Sequence, residues 1–123
     1  MYDFYLLISA IIFISLDFLY LNIISDIFNA QIKQVQGSNI KINYYGAGLC
    51  YILLIMSLNY FIIAPRRSYQ DAFLLGLVIY GVYETTNLTL FTNWSLLTVI
   101  IDTLWGGVLF ATTTYIVNRL QGL

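Results

Sequence analysis

The sequence predicts an all-α, polytopic membrane protein: a bundle of four transmembrane helices with a tight hairpin between helices 3 and 4. Three observations predict it. The first is composition. Of 123 residues, 60% are hydrophobic and 9% are charged, and the mean hydropathy is +0.82. A soluble domain carries about 25% charged residues, and a soluble fold of this size could not hide so much apolar surface, because small domains bury the smallest share of theirs. The second is length. Four apolar runs each reach the roughly 20 residues that a helix needs to cross about 30 Å of hydrocarbon. The third is pattern. The runs are uniformly apolar and lack the alternation of a membrane strand. Lipid also forces a spanning backbone to satisfy its own hydrogen bonds, which favours helices despite many β-branched residues.

The first span is placed at about residues 4–24 and contains Asp17. It reads as a retained span. Asp3 stands where a signal peptide has its basic region, the apolar run is too long, and no small-residue cleavage site closes it. Asn29 to Asn43 then reads as the one long loop, polar, with Lys33, Gly37 and Lys41. The second span, 44–64, carries no charge and stops at Pro65, Arg66 and Arg67. Proline cannot continue the helix, and arginine prefers the headgroups. The third span, 72–91, contains Glu84, and the fourth, 96–117, contains Asp102. The short link Thr92 to Ser95 makes these two an antiparallel hairpin. Aromatic residues crowd the span ends (Tyr2, Tyr5, Tyr44, Tyr45, Tyr60, Tyr69, Trp94, Tyr115), as an interfacial belt would. The whole chain, 1–123, is read as one transmembrane domain.

Several function classes drop out. The net charge is −1 with five Lys and Arg, so there is no basic face for nucleic acid. Cys50 is the only cysteine, which excludes an internal disulfide and a thiolate zinc site. The chain has no histidine, which removes a His-based triad and most transition-metal sites. No cofactor and no catalytic residue are assigned, and a metal is left open. Four spans put both termini on one side, together with Arg66, Arg67 and Arg119, against Lys33 and Lys41 opposite. By that margin of one charge, the positive-inside rule points the termini to the cytoplasm.

The acids are the costly residues. An ionisable group at the bilayer centre costs roughly 2.5–3.5 kcal/mol on insertion scales. Asp17, Glu84 and Asp102 each lie seven residues in from the span end facing the long loop (Ile24, Phe91 and Ser95), and Tyr51 lies seven in from Tyr44. At 1.5 Å per residue all four sit about 10 Å deep, in one layer. Helical spacing adds Tyr20 beside Asp17, Tyr80 and Asn87 beside Glu84, and Thr98 and Trp105 beside Asp102. Cys50 falls outside the layer by one residue's rotation. No Lys or Arg lies at that depth, so the acids must be protonated, share protons, hold a cation or touch water. The plainer reading is a neutral Asp102 bonded to Thr98 or Asn87 that only locks the bundle. Gly107 and Ala111 form a small-xxx-small pair turned away from the acids by about 140° and 180°. They are expected to meet another subunit or lipid. Gly106, on the acid face, is expected to leave room for ligand or water.

The string Tyr83-Glu84-Thr85-Thr86-Asn87, then Trp94, then Asp102-Thr103-Leu104-Trp105-Gly106 resembles domain-of-unknown-function family 2177, small four-span membrane proteins. That family reads Tyr-Asp-x-Thr-Asn near the end of span three, a Trp-Pro turn, and Asp-x-x-Trp-Gly in span four. Asp17 with Tyr20 resembles its first-span Asp-x-x-Trp, and Ala64-Pro65 resembles the close of its second span. This chain departs at Glu84 for Asp, Ser95 for the turn proline and Tyr20 for tryptophan. The resemblance implies the four-span architecture and makes the acid layer part of the family motif. It implies no activity.

Three functions compete. One is a proton-coupled transporter or cation-conducting channel working through the carboxylates as a homo-oligomer in the lipid bilayer, with protons or small cations as partners. A small multidrug-resistance carrier is similar in size and in its lone first-span acid, but lacks acids on spans three and four. The second is an intramembrane enzyme on a lipid-like substrate, disfavoured by the absent histidine and absent serine-nucleophile motif. The third is a non-catalytic assembly subunit. Transport is the expectation.

Overall fold

In a computed structural model the structure describes residues 2–122, with side chains from Phe4 onward. The Tyr2 and Asp3 side chains, read above as belt and as the missing basic region, lie outside the described residues. The chain is helical in four segments: α1 Tyr2–Gln36, α2 Tyr44–Leu58 continued by a wider turn Asn59–Ile63, α3 Tyr69–Leu90 and α4 Leu96–Leu120. All four are long and apolar enough to cross a membrane once that turn is counted with α2. Their outer faces are aliphatic and exposed, with Leu7, Ile11, Ile52, Leu74 and Leu97 among the residues presented to lipid. Tyr44, Tyr45, Tyr60, Tyr69 and Tyr115 are exposed at the ends, as a belt requires.

Each boundary has a local cause. Asn43, Ser68 and Ser95 cap α2, α3 and α4, their side-chain oxygens accepting from the N–H groups of Gly46, Asp71 and Thr98. These bonds satisfy donors that a helix start leaves free. Gly37, at φ 77°, ends α1 and donates its N–H to the Lys33 carbonyl, the left-handed stop that glycine adopts without penalty. Near Pro65 the ladder of α2 widens. The Ala64 N–H reaches the Asn59 carbonyl and the Arg67 N–H the Ile62 carbonyl, both at 2.8 Å and five residues back. Proline has no N–H to give, and inserting one residue into the turn keeps the backbone paired.

The first boundary corrects the sequence reading. The helix does not stop near residue 24, and the long loop shrinks to 37–43. Its 35 residues make α1 roughly 52 Å long at 1.5 Å per residue, more than the hydrocarbon needs. The extension has a purpose. Ser9, Phe13, Asp17, Ile24 and Gln31 are the buried residues of α1, at spacings of four and seven that form one continuous stripe. At its far end Gln31 clasps the hairpin turn. Its Nε2 donates to the Asn93 carbonyl (2.6 Å), and its Oε1 accepts from the Ser95 N–H (2.8 Å) and the Thr98 hydroxyl (3.1 Å). Gln31→Leu should therefore destabilise the protein by about 2–3 kcal/mol, since it strands three polar groups. Gln34→Leu, on the exposed side of the same segment, should change stability by less than about 0.5 kcal/mol. Unfolding of the two variants in detergent checks the pair.

The core lies toward the termini side of the acids. Phe13, Leu58, Leu109, Phe110 and Val117 are fully buried there, joined by Ile55, Ile62, Ile63 and Ala72. The α3–α4 pair is the most closely packed. A Cβ on Gly76 would stand 2.1 Å from the Gly106 carbonyl oxygen. A Cβ on Gly106 would meet the Tyr80 ring at 2.3 Å, and one on Gly107 the Phe73 ring at 2.7 Å. Two expectations fall here. The space beside Gly106 holds Tyr80, not a ligand or water. Gly107 is buried under Phe73 of its own chain, because the crossing of α3 over α4 is broad enough to cover both glycines. Ala111, one turn on, is half-buried in a groove with Tyr69 and Phe73.

By contrast α2, above its wide turn, packs on α1 and barely touches α3 or α4. The bundle is therefore tight along α1, α3 and α4 and loose on one flank.

Candidate functional site

The three buried acids come together in this structure, on three different helices. Asp17 is 7%, Asp102 6% and Glu84 0% exposed, against about 100% for an extended chain, so each is withdrawn from its surroundings. All three are engaged by neutral donors. Asp17 accepts from the Tyr51 hydroxyl on α2 and, through Oδ1, from the Trp105 indole N–H on α4 at 3.0 Å. Asp102 accepts through Oδ1 from the Tyr20 hydroxyl on α1 at 3.1 Å. Glu84 accepts through Oε1 from the Trp94 indole N–H at 2.8 Å, and its carboxyl adjoins that of Asp102. The other oxygen of Glu84, Oε2, is buried and receives no N–H or hydroxyl donor.

The arrangement is a layer of two tiers one helical turn apart. One tier is Tyr51–Asp17–Trp105. The other, nearer the hairpin turn, is Tyr20–Asp102–Glu84–Trp94. The rings of Tyr20 and Trp105 join them, stacked with centroids 4.4 Å apart and planes 5° from parallel. Helical spacing explains the alternation: residues 17 and 20 on α1 and residues 102 and 105 on α4 each share a face. The antiparallel helices thus exchange an acid for a donor in each tier. Among the described residues, no Lys or Arg pairs with any of the three. The ion pair found, Arg67 with Asp71 at 3.3 Å, is exposed on the opposite side of the membrane from the hairpin turn.

Of the other residues singled out from sequence, Asn87 is buried one turn on from Glu84. Tyr80 lies over Gly106 and lines a cavity beside the acids. Thr98 is buried but faces Gln31 and Ser95, so Asp102 takes its hydrogen bond from Tyr20 and not from Thr98. Two members went unread. Gln31 fell in the stretch taken as loop, although it continues the spacing of Asp17 and Ile24. Trp94 was counted in the belt, yet it is only 5% exposed and its N–H is spent on Glu84.

The acids are not sealed off. A cavity of about 350 Å³ opens beside them, with Asp17 and Asp102 in its wall. Tyr20 and Phe28 from α1, Tyr80 and Tyr83 from α3, and Cys50 from α2 complete most of that wall. Cys50, outside the acid layer, is exposed and lines this cavity. The cavity draws its wall from all four helices, and α2, which lines it through Cys50 and Leu54, barely touches α3 or α4. A neutral donor set around buried carboxyls can hold and release protons without disrupting any ion pair. No three of His, Cys, Asp or Glu converge on one metal position among the described residues.

No curated protein and no solved structure matches the chain. A family profile does, across residues 2–118, nearly the whole length and every helix described above. The chain is an integral, multi-pass membrane protein and belongs to the family described as Predicted membrane protein (DUF2177).

Proposed function

We propose that this protein is a proton-coupled membrane carrier in which Asp17, Glu84 and Asp102 hold the exchanged proton or cation. One observation carries the reading. Three carboxyls from three helices meet in one buried network, supplied only by Tyr and Trp donors, beside a cavity on an open flank. Intramembrane acids are costly and rare, and they are by default candidates for ion or proton pathways. Adjoining carboxyls such as Glu84 and Asp102 repel one another when both are ionised, so we assign the pair a shared proton. Tyr51 and Trp105 hold Asp17 in the neighbouring tier, and Asn87 is buried one turn from Glu84.

A carrier fits better than a channel. Beneath the acids Phe13, Leu58, Leu109 and Phe110 are fully buried and fill the bundle toward the termini. A conducting path would need several copies around it. We place both termini in the cytoplasm with Arg66, Arg67 and Arg119.

Proteoliposomes carrying a pH-sensitive dye test this. The wild type should pass protons down an imposed gradient, or exchange them for a cation. Asp17→Asn, Glu84→Gln and Asp102→Asn should each slow that flux by roughly a hundredfold, the size expected of a lost proton-transfer group. Wild-type flux in all three variants overturns the reading.

A further inference from the structure

We propose that the cavity between α2 and α3 is a binding site for an organic cation, an ammonium group carried on an apolar or aromatic body, that enters sideways from the membrane. The proposal rests on the carrier reading and names its substrate class: the ammonium replaces the held proton, one positive charge for another.

The wall of the cavity states the chemistry. Two carboxyls, Asp17 and Asp102, stand at the back of a space that is otherwise aromatic and aliphatic. Acids exclude an anion, and a neutral lipid tail has no use for them. An inorganic cation needs a shell of oxygens, about six to eight for calcium. This wall does not supply one: apart from the two carboxyls and the tyrosine hydroxyls its side chains are aliphatic or aromatic, with the thiol of Cys50, and no metal-holding trio forms among the described residues. An ammonium on an apolar body needs less. It takes one countercharge and π faces, which Tyr20, Phe28, Tyr80 and Tyr83 provide around the carboxyls. At about 350 Å³ the space is at the lower end of ordinary ligand pockets and suits a small amine with a single ring.

A second observation points to a missing positive group. Glu84 is fully buried, its Oε2 receives no N–H or hydroxyl donor, and it adjoins Asp102. Tyr20 engages Oδ1 of Asp102. Asp102, in the cavity wall with Glu84 beside it, takes one protein hydrogen bond, through Oδ1, and keeps acceptor capacity that a cation would complete. The route follows from the loose flank. α2 barely meets α3 alongside the opening, so the ligand arrives from the bilayer, where an amphiphilic cation concentrates, and needs no aqueous pore.

The native Cys50 reports on occupancy, since it is the only cysteine and lies exposed in the wall. Benzyltrimethylammonium and its uncharged carbon isostere, neopentylbenzene, are added to the intact protein in nanodiscs, and alkylation of Cys50 by a maleimide is timed. The ammonium should slow alkylation about tenfold at saturation while the isostere does not, because only the charge distinguishes them. Asp102→Asn should weaken the protection about tenfold. Ile79→Trp, which fills the wall and leaves the acids in place, should abolish it. Equal protection by both compounds, or by neither, overturns the proposal. Acid-dependent proton flux that persists without protection sinks the substrate class alone and leaves the carrier reading standing. Protection without any flux sinks the carrier reading and leaves a cation site.

Discussion

Gly76→Ala is expected to prise α3 from α4, with the largest loss of stability for any single methyl in this chain. The added Cβ would stand 2.1 Å from the Gly106 carbonyl oxygen and 2.8 Å from the Phe110 ring. A side chain could swing aside, but a helix backbone cannot, so the helices must separate by more than an ångström. Overpacking ordinarily costs 1–3 kcal/mol, and a clash with backbone belongs at or above the top of that range, about 3 kcal/mol. In a membrane the helices have no hydrophobic drive toward one another, and close packing at small residues is what holds them. Gly81→Ala on the same helix is the control. Its Cβ would meet only the Thr103 methyl, at 3.4 Å, and alanine is the better helix former by about 0.5–1 kcal/mol. Unfolding in mixed micelles should therefore rank Gly81→Ala at or above wild type and Gly76→Ala far below it. If the two variants unfold alike, the backbone contact between α3 and α4 is not there.

The hairpin and the acids were legible in the sequence for a physical reason. A charge in an apolar run has a fixed cost, so Asp17, Glu84 and Asp102 stand out however the helices pack. Helix geometry puts Tyr20 on the face of Asp17 and Trp105 on the face of Asp102, and depth brings in Tyr51; each of the three donates to an acid on another helix, so Tyr20 serves Asp102 while Trp105 and Tyr51 serve Asp17. What failed was whatever depended on tertiary surroundings. Polarity makes the segment from Asn29 look like loop, but a helix can run past the bilayer when its polar face meets a partner. Gln31 has that partner in the turn at Asn93 and Ser95. Trp94 has the same composition signal at an interface or in a core, and only the position of Glu84 decides between them. The Gly107–Ala111 pair predicted a close contact correctly in kind. What would occupy it depends on the direction of crossing, and at Gly107 Phe73 of the same chain stands where a second subunit or lipid is expected.

Replacing Glu84 in two ways should separate the two roles that a buried acid can have. Glu84→Gln keeps the volume, keeps a carbonyl for the Trp94 N–H that now donates at 2.8 Å, and turns an amide donor toward Asp102. Stability should move by less than about 1 kcal/mol, since every buried group stays paired. Glu84→Leu keeps the volume approximately and removes both oxygens. The Trp94 indole, 95% withdrawn from the surface, loses its acceptor, and Asp102 loses its neighbour. That should cost about 2–4 kcal/mol, the usual penalty for stranding buried polar groups beside a carboxyl. Flux gives the orthogonal reading. Proton carriage requires a group that can gain and lose a proton at this position, and neither glutamine nor leucine can, so both should be inactive. A packing role requires only shape and hydrogen bonds, so glutamine should then behave as wild type in every assay. The decisive result is Glu84→Gln: folded and silent places the proton at Glu84, whereas folded and active reduces that carboxyl to a strut between Trp94 and Asp102.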